Sequence, residues 1–193
     1  MPELENELVL NADYSNSNAL KKLLQEHSVD VVISALSLFD EESAKAQMVL
    51  ISAAIESNIV KRFVPSEFGV DYTRPGLADA HPGARWFNDA ADMLRESKLE
   101  FTRVIFGQLT DHYGYPHFQS YMKQFTYFLD FVNKKAAIPG DGEASATFLC
   151  SVDVAKYIVA LLNEKKWPQF SAFASDRLTW NELVRLAERV TGK

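Results

Sequence analysis

The chain has 193 residues and a mass of 21.8 kDa, with 47% hydrophobic, 24% charged and 12% aromatic residues and a formal net charge of -6. That length suits one domain with its own core, and the balance excludes a disordered chain, while scattered, outnumbered lysines and arginines exclude the concentrated basic face that nucleic acid needs. No apolar stretch approaches the roughly 18 residues of a membrane helix, the acidic opening lacks the form of a signal peptide, and Cys150 has no partner for a disulfide, so no membrane partner and a cytoplasmic location are expected.

Short β-branched runs alternate with longer segments of 3.6-residue period. Residues 7–11 read as a short strand, and residues 17–27 as a helix with Leu20, Leu23 and Leu24 on one face. Residues 29–35 (VDVVISA) are near-continuously apolar, as in a strand covered on both sides. A helix over 41–57 follows, with Asp40 as its N-cap. The next strand, 60–64, ends at Pro65, which has no N–H for a ladder. Residues 69–83 carry Gly69, Pro75, Gly76, Pro82 and Gly83 and read as a loop.

Beyond it come a helix over 84–97, a strand over 100–106, an irregular stretch over 107–118 and a helix over 121–135. Pro139-Gly140-Asp141-Gly142 is a tight turn into a strand over 146–150, in which Cys150 fits as a buried small residue. Residues 153–164 read as helix and 170–174 as strand. Thr179 and Glu182 have the spacing of a capping box, and Leu183, Leu186, Ala187 and Val190 line one face of the last helix. Such alternation builds βαβ units and a mostly parallel sheet, so the fold class is α/β.

Open parallel sheets bind ligands beyond the carboxyl ends of their strands. Here those ends are Ser34-Ala35-Leu36, Pro65-Ser66-Glu67-Phe68-Gly69 and Phe106-Gly107-Gln108. Past the third end, the segment from Asp111 to Phe118 is the richest in proton-transfer groups: His112 can shuttle a proton near neutral pH, and Tyr113 or Tyr115 can orient a carbonyl. The same residues also suit a hydrogen-bonded loop histidine among packed aromatics. His112 and His117 are five apart and no cysteine is near, so no metal site is expected. Ten aromatic residues lie between Phe101 and Phe131, enough either to wall an aromatic-substrate cleft or to pack a helix onto the sheet.

The run Val60-Lys61-Arg62-Phe63-Val64-Pro65-Ser66-Glu67-Phe68-Gly69-Val70-Asp71 resembles the central signature of the isoflavone-reductase-like branch of the NmrA-like proteins, atypical relatives of the short-chain dehydrogenases. Residues 29–36, 138–157 and 178–193 agree in type and order, so the likeness spans nearly the whole chain. The resemblance implies a Rossmann-type, doubly wound parallel sheet that uses NADP, with a small C-terminal substrate region. It implies hydride transfer to a small aromatic substrate, or a role as a redox-sensing regulator. By the same likeness Ser34 and Ala35 border the ribose, Gln47 faces the cofactor, and Ser66-Glu67-Phe68 brings Phe68 against the nicotinamide ring. The oligomeric state stays open.

Two departures stand out. The family opens with a strand, a G-x-x-G-x-x-G turn and a helix, whose glycines let the backbone approach the pyrophosphate. Here the first glycine is Gly69. A single but partial Rossmann-type domain over 1–193 is therefore expected, with the first βαβ segment absent, and a truncated gene model or splice form is the expected origin. Residues 7–11 and 29–35 then either pair directly or separate, leaving 29–35 as an apolar sheet edge.

The second departure is chemical. The branch's general acid/base lysine falls at or beside Phe87, between Trp86 and Asn88, and the nearest lysine is Lys98 at the helix's far end. No tyrosine is followed by lysine four residues on, so the Tyr-x-x-x-Lys device is missing too. Three readings remain: an NADP-dependent oxidoreductase fragment with His112 or Tyr113 as proton donor, a non-catalytic dinucleotide-sensing or interaction module, or a non-functional truncated product. Whether the chain is an enzyme is left open.

Overall fold

The computed structural model describes residues 7–114, 117–122 and 126–192, which divide into two compact units. One comprises residues up to 67 together with 71–103; the other comprises 68–70 and everything from 104 onward. No helix among the described residues is long and apolar enough to cross a membrane.

In the first unit, α1 (Ser17–Glu26) starts where the Asn16 side chain accepts the Ala19 amide, and it buries Leu20 and Leu24. β1 (Val31–Ile33) leads to α2 (Glu41–Ser57), which opens on the expected Asp40 cap. Asp40 and Ser43 satisfy each other's backbone amides, and Glu41 and Glu42 add negative charge at the helix's positive end. β2 (Arg62–Val64) follows. Residues 69–83, expected as a loop, include one short helical turn, α3 (Leu77–Ala80). α4 (Ala84–Arg95) turns Phe87, Ala90, Ala91 and Leu94 inward, and β3 (Glu100–Phe101) closes the unit. The strands form a parallel sheet in the order β1-β2-β3, with Val31 opposite Arg62 and Phe63 opposite Phe101. Ile51, Ala53, Ala54, Phe63, Ala90 and Leu94 form the centre of its core.

Residues 7–11 are not a strand. Val9 is 84% exposed, Leu8 and Leu10 are exposed as well, and β1 is the sheet's outermost strand. Of the two expected arrangements, the separated one is observed: strand-forming side chains alone do not make a strand when no ladder accepts their backbone groups.

The second unit takes over within β4 (Arg103–Ile105), so the single strand expected over 100–106 is two strands that break at Thr102 and join different sheets. β5 (Gln108–Leu109) and α5 (Asp111–Gly114) occupy the stretch expected to be irregular. β6 (Leu129–Asp130) and β7 (Lys135–Ala136) form an antiparallel hairpin where a helix over 121–135 was expected. The reason is turn chemistry: Asp130 accepts both the backbone and the side-chain N–H of Asn133, at 2.9 and 2.7 Å, and Lys134 takes a left-handed φ of 55°. Those contacts outcompete the helical spacing of the aromatics.

β8 (Ser145–Leu149) leads to α6 (Ser151–Leu162), with Cys150 half-buried at the N-cap rather than inside the strand. β9 (Phe170–Ala172) pairs with β4, and β10 (Asp176–Thr179), which no local signal announced, runs antiparallel to β8. β5 lies on the other side of β8, in parallel. Gly107 passes so close to Thr147 that a Cβ would collide with that residue's carbonyl oxygen, so only glycine fits there. α7 (Trp180–Thr191) starts on the expected Thr179–Glu182 capping box. Its Trp180 and Leu183 pack with Phe148 and Leu129 to form this unit's core.

Candidate functional site

In the first unit, the carboxyl ends of β1 and β2 meet in a short polar lip. The Ser34 amide donates to the Val64 carbonyl (2.8 Å). The Ser66 amide donates to Gln47 Oε1 (2.6 Å), and the Ser66 hydroxyl donates to the Leu36 carbonyl (2.6 Å). Gln47, which a helix-surface reading would leave in solvent, is 1% exposed. Ser34 is 2% exposed, and its hydroxyl has no hydrogen-bond partner among the described residues. A buried polar atom left unpaired costs about 1–3 kcal/mol unless something else pairs with it. Ala35 is exposed beside it, and Ser34, Ala35 and Leu36 line an open cavity of about 660 Å³ along the free edge of β1.

Glu67 has a different part. Both its oxygens accept from Arg103, Nε to Oε2 and Nη2 to Oε1 at 2.6 Å each, and Arg103 Nη2 also donates to Asn88 Oδ1 at 3.0 Å. Both side chains are only 1% exposed. Burial pushes the Glu67 carboxyl above its ordinary range, and the hydrogen bonds and charge of Arg103 draw it back only in part. The pair braces the loop after β2 against the first residue of β4 and, through Asn88, against α4, so Glu67 is occupied internally.

Sequence reasoning missed Arg103 and Asn88. The signal was present: an arginine inside the apolar run Phe101-Thr102-Arg103-Val104-Ile105-Phe106 has nowhere to go but a buried acidic partner. At Phe87 the structure has a buried aromatic stack, its ring 4.6 Å from that of Tyr72 and 10° from parallel, with His81 tilted against both.

Phe68 belongs to the second unit, where its ring stacks on Phe106 at 6.4 Å. Its φ of 45° is left-handed, an uncommon conformation for an aromatic residue. His112 and Tyr113 also belong to the second unit, on α5, and both are half-buried. Tyr113 packs its ring against the Trp180 core and, edge-on, against Phe131 at 6.4 Å. Its buried hydroxyl has no hydrogen-bond partner among the described residues. Burial pushes the phenol up to about 12; neighbouring Tyr127 adds to the rise and the Phe128 backbone opposes it. Tyr115 and Phe125 lie outside the described residues.

Beside them, Asp111 gathers three donors: the Ser151 amide (2.7 Å), the Ser151 hydroxyl (2.5 Å) and the Ser120 hydroxyl (2.6 Å). It thus caps α6, whose own N-cap residue Cys150 supplies no side-chain hydrogen bond. Burial alone would raise its carboxyl, but the hydrogen bonds from Ser120 and Ser151 outweigh that and hold it below the usual range.

Open parallel sheets bind their ligands beyond the carboxyl ends of the strands, where this polar lip lies. The model of the NmrA-like family matches residues 5–193. The chain belongs to the NmrA-like family. Its relatives place it in the isoflavone-reductase-like branch. It is 34% identical to Oxidoreductase swnN of Metarhizium robertsii, over 94% of this chain and 60% of that protein. It is 28% identical to pinoresinol reductase 2 of Arabidopsis thaliana, over 96% of this chain and 58% of that one. A solved structure, AtPrR2 with NADP+ and (+)pinoresinol, superimposes with a TM-score of 0.73 at 27% identity, covering 94% of this chain and 58% of that one. The NmrA-like chain thus spans about three-fifths of the length of the curated relatives it matches.

Proposed function

We propose that this NmrA-like chain is part of an NADP-dependent oxidoreductase that reduces a small aromatic substrate by hydride transfer. The observation that carries the reading is the buried, unpartnered Ser34 hydroxyl at the lip of β1 and β2, next to the Gln47–Ser66 hydrogen bond. A related structure that holds NADP+ and pinoresinol supports the cofactor and substrate class.

The residues of the first unit suit the nicotinamide half of the dinucleotide: Ser34 and Ala35 toward the ribose, Gln47 and Ser66 toward the ring. They do not supply a pyrophosphate cradle, because no glycine precedes Gly69 in the sequence. When bound, NADPH supplies the hydride. The chain's own residues have other tasks. Glu67 acts through Arg103 by fixing the loop that carries Ser66. Tyr113 keeps its proton at neutral pH, with its phenol near 12, so it can donate a hydrogen bond to a carbonyl but is a poor base. His112 is the other candidate donor.

The test is NADPH oxidation at millimolar cofactor over a panel of aromatic carbonyl and benzylic ether compounds. Turnover that falls at least tenfold in Tyr113→Phe or His112→Ala supports the reading and selects the donor; full activity in the double variant removes both. A second reading, a dinucleotide-sensing module without turnover, is favoured by the apolar Tyr72–Phe87 stack at the position where the branch's lysine would stand. Saturable NADPH binding without oxidation of any panel member would select it.

A further inference from the structure

β1 is the outermost strand of the first unit's sheet, and Val31, Val32 and Ile33 are all β-branched. Its backbone is committed on one side only. The Asp30 carbonyl accepts from the Arg62 amide at 3.2 Å and the Ser34 amide donates to the Val64 carbonyl, so residues 30, 32 and 34 face β2. By the alternation of a ladder, the amides and carbonyls of Val31 and Ile33 point to the free edge. The Val29 amide is taken by the Leu24 carbonyl at 3.0 Å, so within β1 the open donor and acceptor groups are those of Val31 and Ile33. Natural edges are guarded by a lysine, a proline or a covering element. The open cavity of about 660 Å³ along this edge is lined by no charged residue and no proline. Leu8, Tyr14 and Ile33, which line it, are 65%, 38% and 39% exposed.

We infer that the free edge of β1 pairs with β1 of a second copy of this chain, antiparallel about a two-fold axis through Val32. The spacing of the open groups selects that partner. Such an axis sets Val31 of one copy opposite Ile33 of the other, and each of these pairs exchanges both hydrogen bonds of an antiparallel ladder. β-branched side chains, which suit a pleated surface, then stand opposite one another. A second copy also brings the same uncharged wall, so apolar side chains exposed on one chain cover those of the other. An extended segment bearing charge would instead lose its water against leucine and valine, with no counter-charge in the wall. The two three-stranded sheets become one continuous sheet. Because β1 has only three residues the ladder is short, and the dimer is a reversible one. Pairing through this edge needs no cofactor and stands apart from the reductase reading.

The test is sedimentation velocity of the 193-residue chain from micromolar to millimolar concentration, without cofactor, together with amide hydrogen exchange. A reversible monomer–dimer equilibrium is expected. Exchange at Val31 and Ile33 should slow as concentration rises, and by more than at Val32, whose amide already faces β2. Ile33→Lys sets a charge in the contact and should weaken the dimer about tenfold. Ile33→Thr keeps the branch and the backbone pairing and should stay within about twofold of the parent. Should Ile33→Lys fail to fold, the concentration dependence of exchange in the parent decides alone. A monomer at every concentration, a dimer indifferent to Ile33→Lys, or assemblies that grow beyond the dimer would overturn the pairing. So would Val31 and Ile33 amides that are protected equally at every concentration, because the edge would then be covered from within the chain.

Discussion

Among the described residues each unit buries one carboxylate, and the two are stabilised in opposite ways. Glu67 is enclosed with a single cation, Arg103, through two hydrogen bonds of 2.6 Å. Asp111 is enclosed with dipoles only, two serine hydroxyls and a backbone amide. Burial dominates at Glu67 and leaves its carboxyl raised, whereas the donors win at Asp111 and leave it lowered. A paired charge in the interior therefore need not be the better-stabilised one, because both members of an ion pair lose their water.

The largest effect expected from breaking this contrast is at Glu67. Glu67→Gln leaves Arg103 buried without a counter-charge and should cost about 3–5 kcal/mol in urea unfolding, while replacing both residues by apolar ones of similar volume should recover most of that. Asp111→Ala comes next. It removes three hydrogen bonds and the cap of α6, for about 2–3 kcal/mol, and should raise amide exchange in the first turn of α6 more than elsewhere. The pH dependences separate the pair with opposite sign. Asp111 titrates lower when folded, so its contribution is in place above the ordinary carboxylate range and is lost as pH falls through the lowered folded value. Glu67 titrates higher when folded, so its contribution is full below its ordinary range and is lost as pH rises through the raised value. The thermal stability of Asp111→Asn should therefore fall less steeply at acid pH than that of the parent.

Thr179→Ala, which removes a cap that satisfies the Glu182 amide, should cost about 1 kcal/mol by the same urea assay. Smallest of all is Ser34→Ala. No partner pairs with that hydroxyl among the described residues, so its removal should leave stability within about 0.5 kcal/mol of the parent or slightly improve it, while weakening NADP+ binding.

The features legible in the sequence are those whose partners lie close along the chain. The Asp40 and Thr179 caps, α2 and the Pro139–Gly142 turn each rest on contacts within a few residues, and each is present. The expected helix over 121–135 failed because Asp130 and Asn133 offered a local turn as strong as the helical period of the aromatics. The strand expected at 7–11 failed for want of a pairing partner, which no local pattern can supply. At the candidate site, Gln47 and Ser66 were picked out by family likeness, but their hydrogen bond joins residues 19 apart. The Asp111–Ser151 cap joins residues 40 apart, and nothing in either segment announces it. Arg103 was the one long-range partner with a visible cue, a charge in an apolar run.

On the proposed function, the carboxyl lip of β1 and β2 receives the nicotinamide end of NADP although no glycine precedes Gly69 in the sequence to form a pyrophosphate turn. The most direct measurement is a titration of the 15N-labelled chain with NADP+, following the backbone amides of Ser34 and Ser66 and the side-chain amide of Gln47. Saturable shifts are expected at those three groups, with a Kd well above the micromolar range and weaker binding in Ser34→Ala. Shifts confined to other residues, no saturation up to millimolar NADP+, or sub-micromolar binding untouched by Ser34→Ala would contradict it.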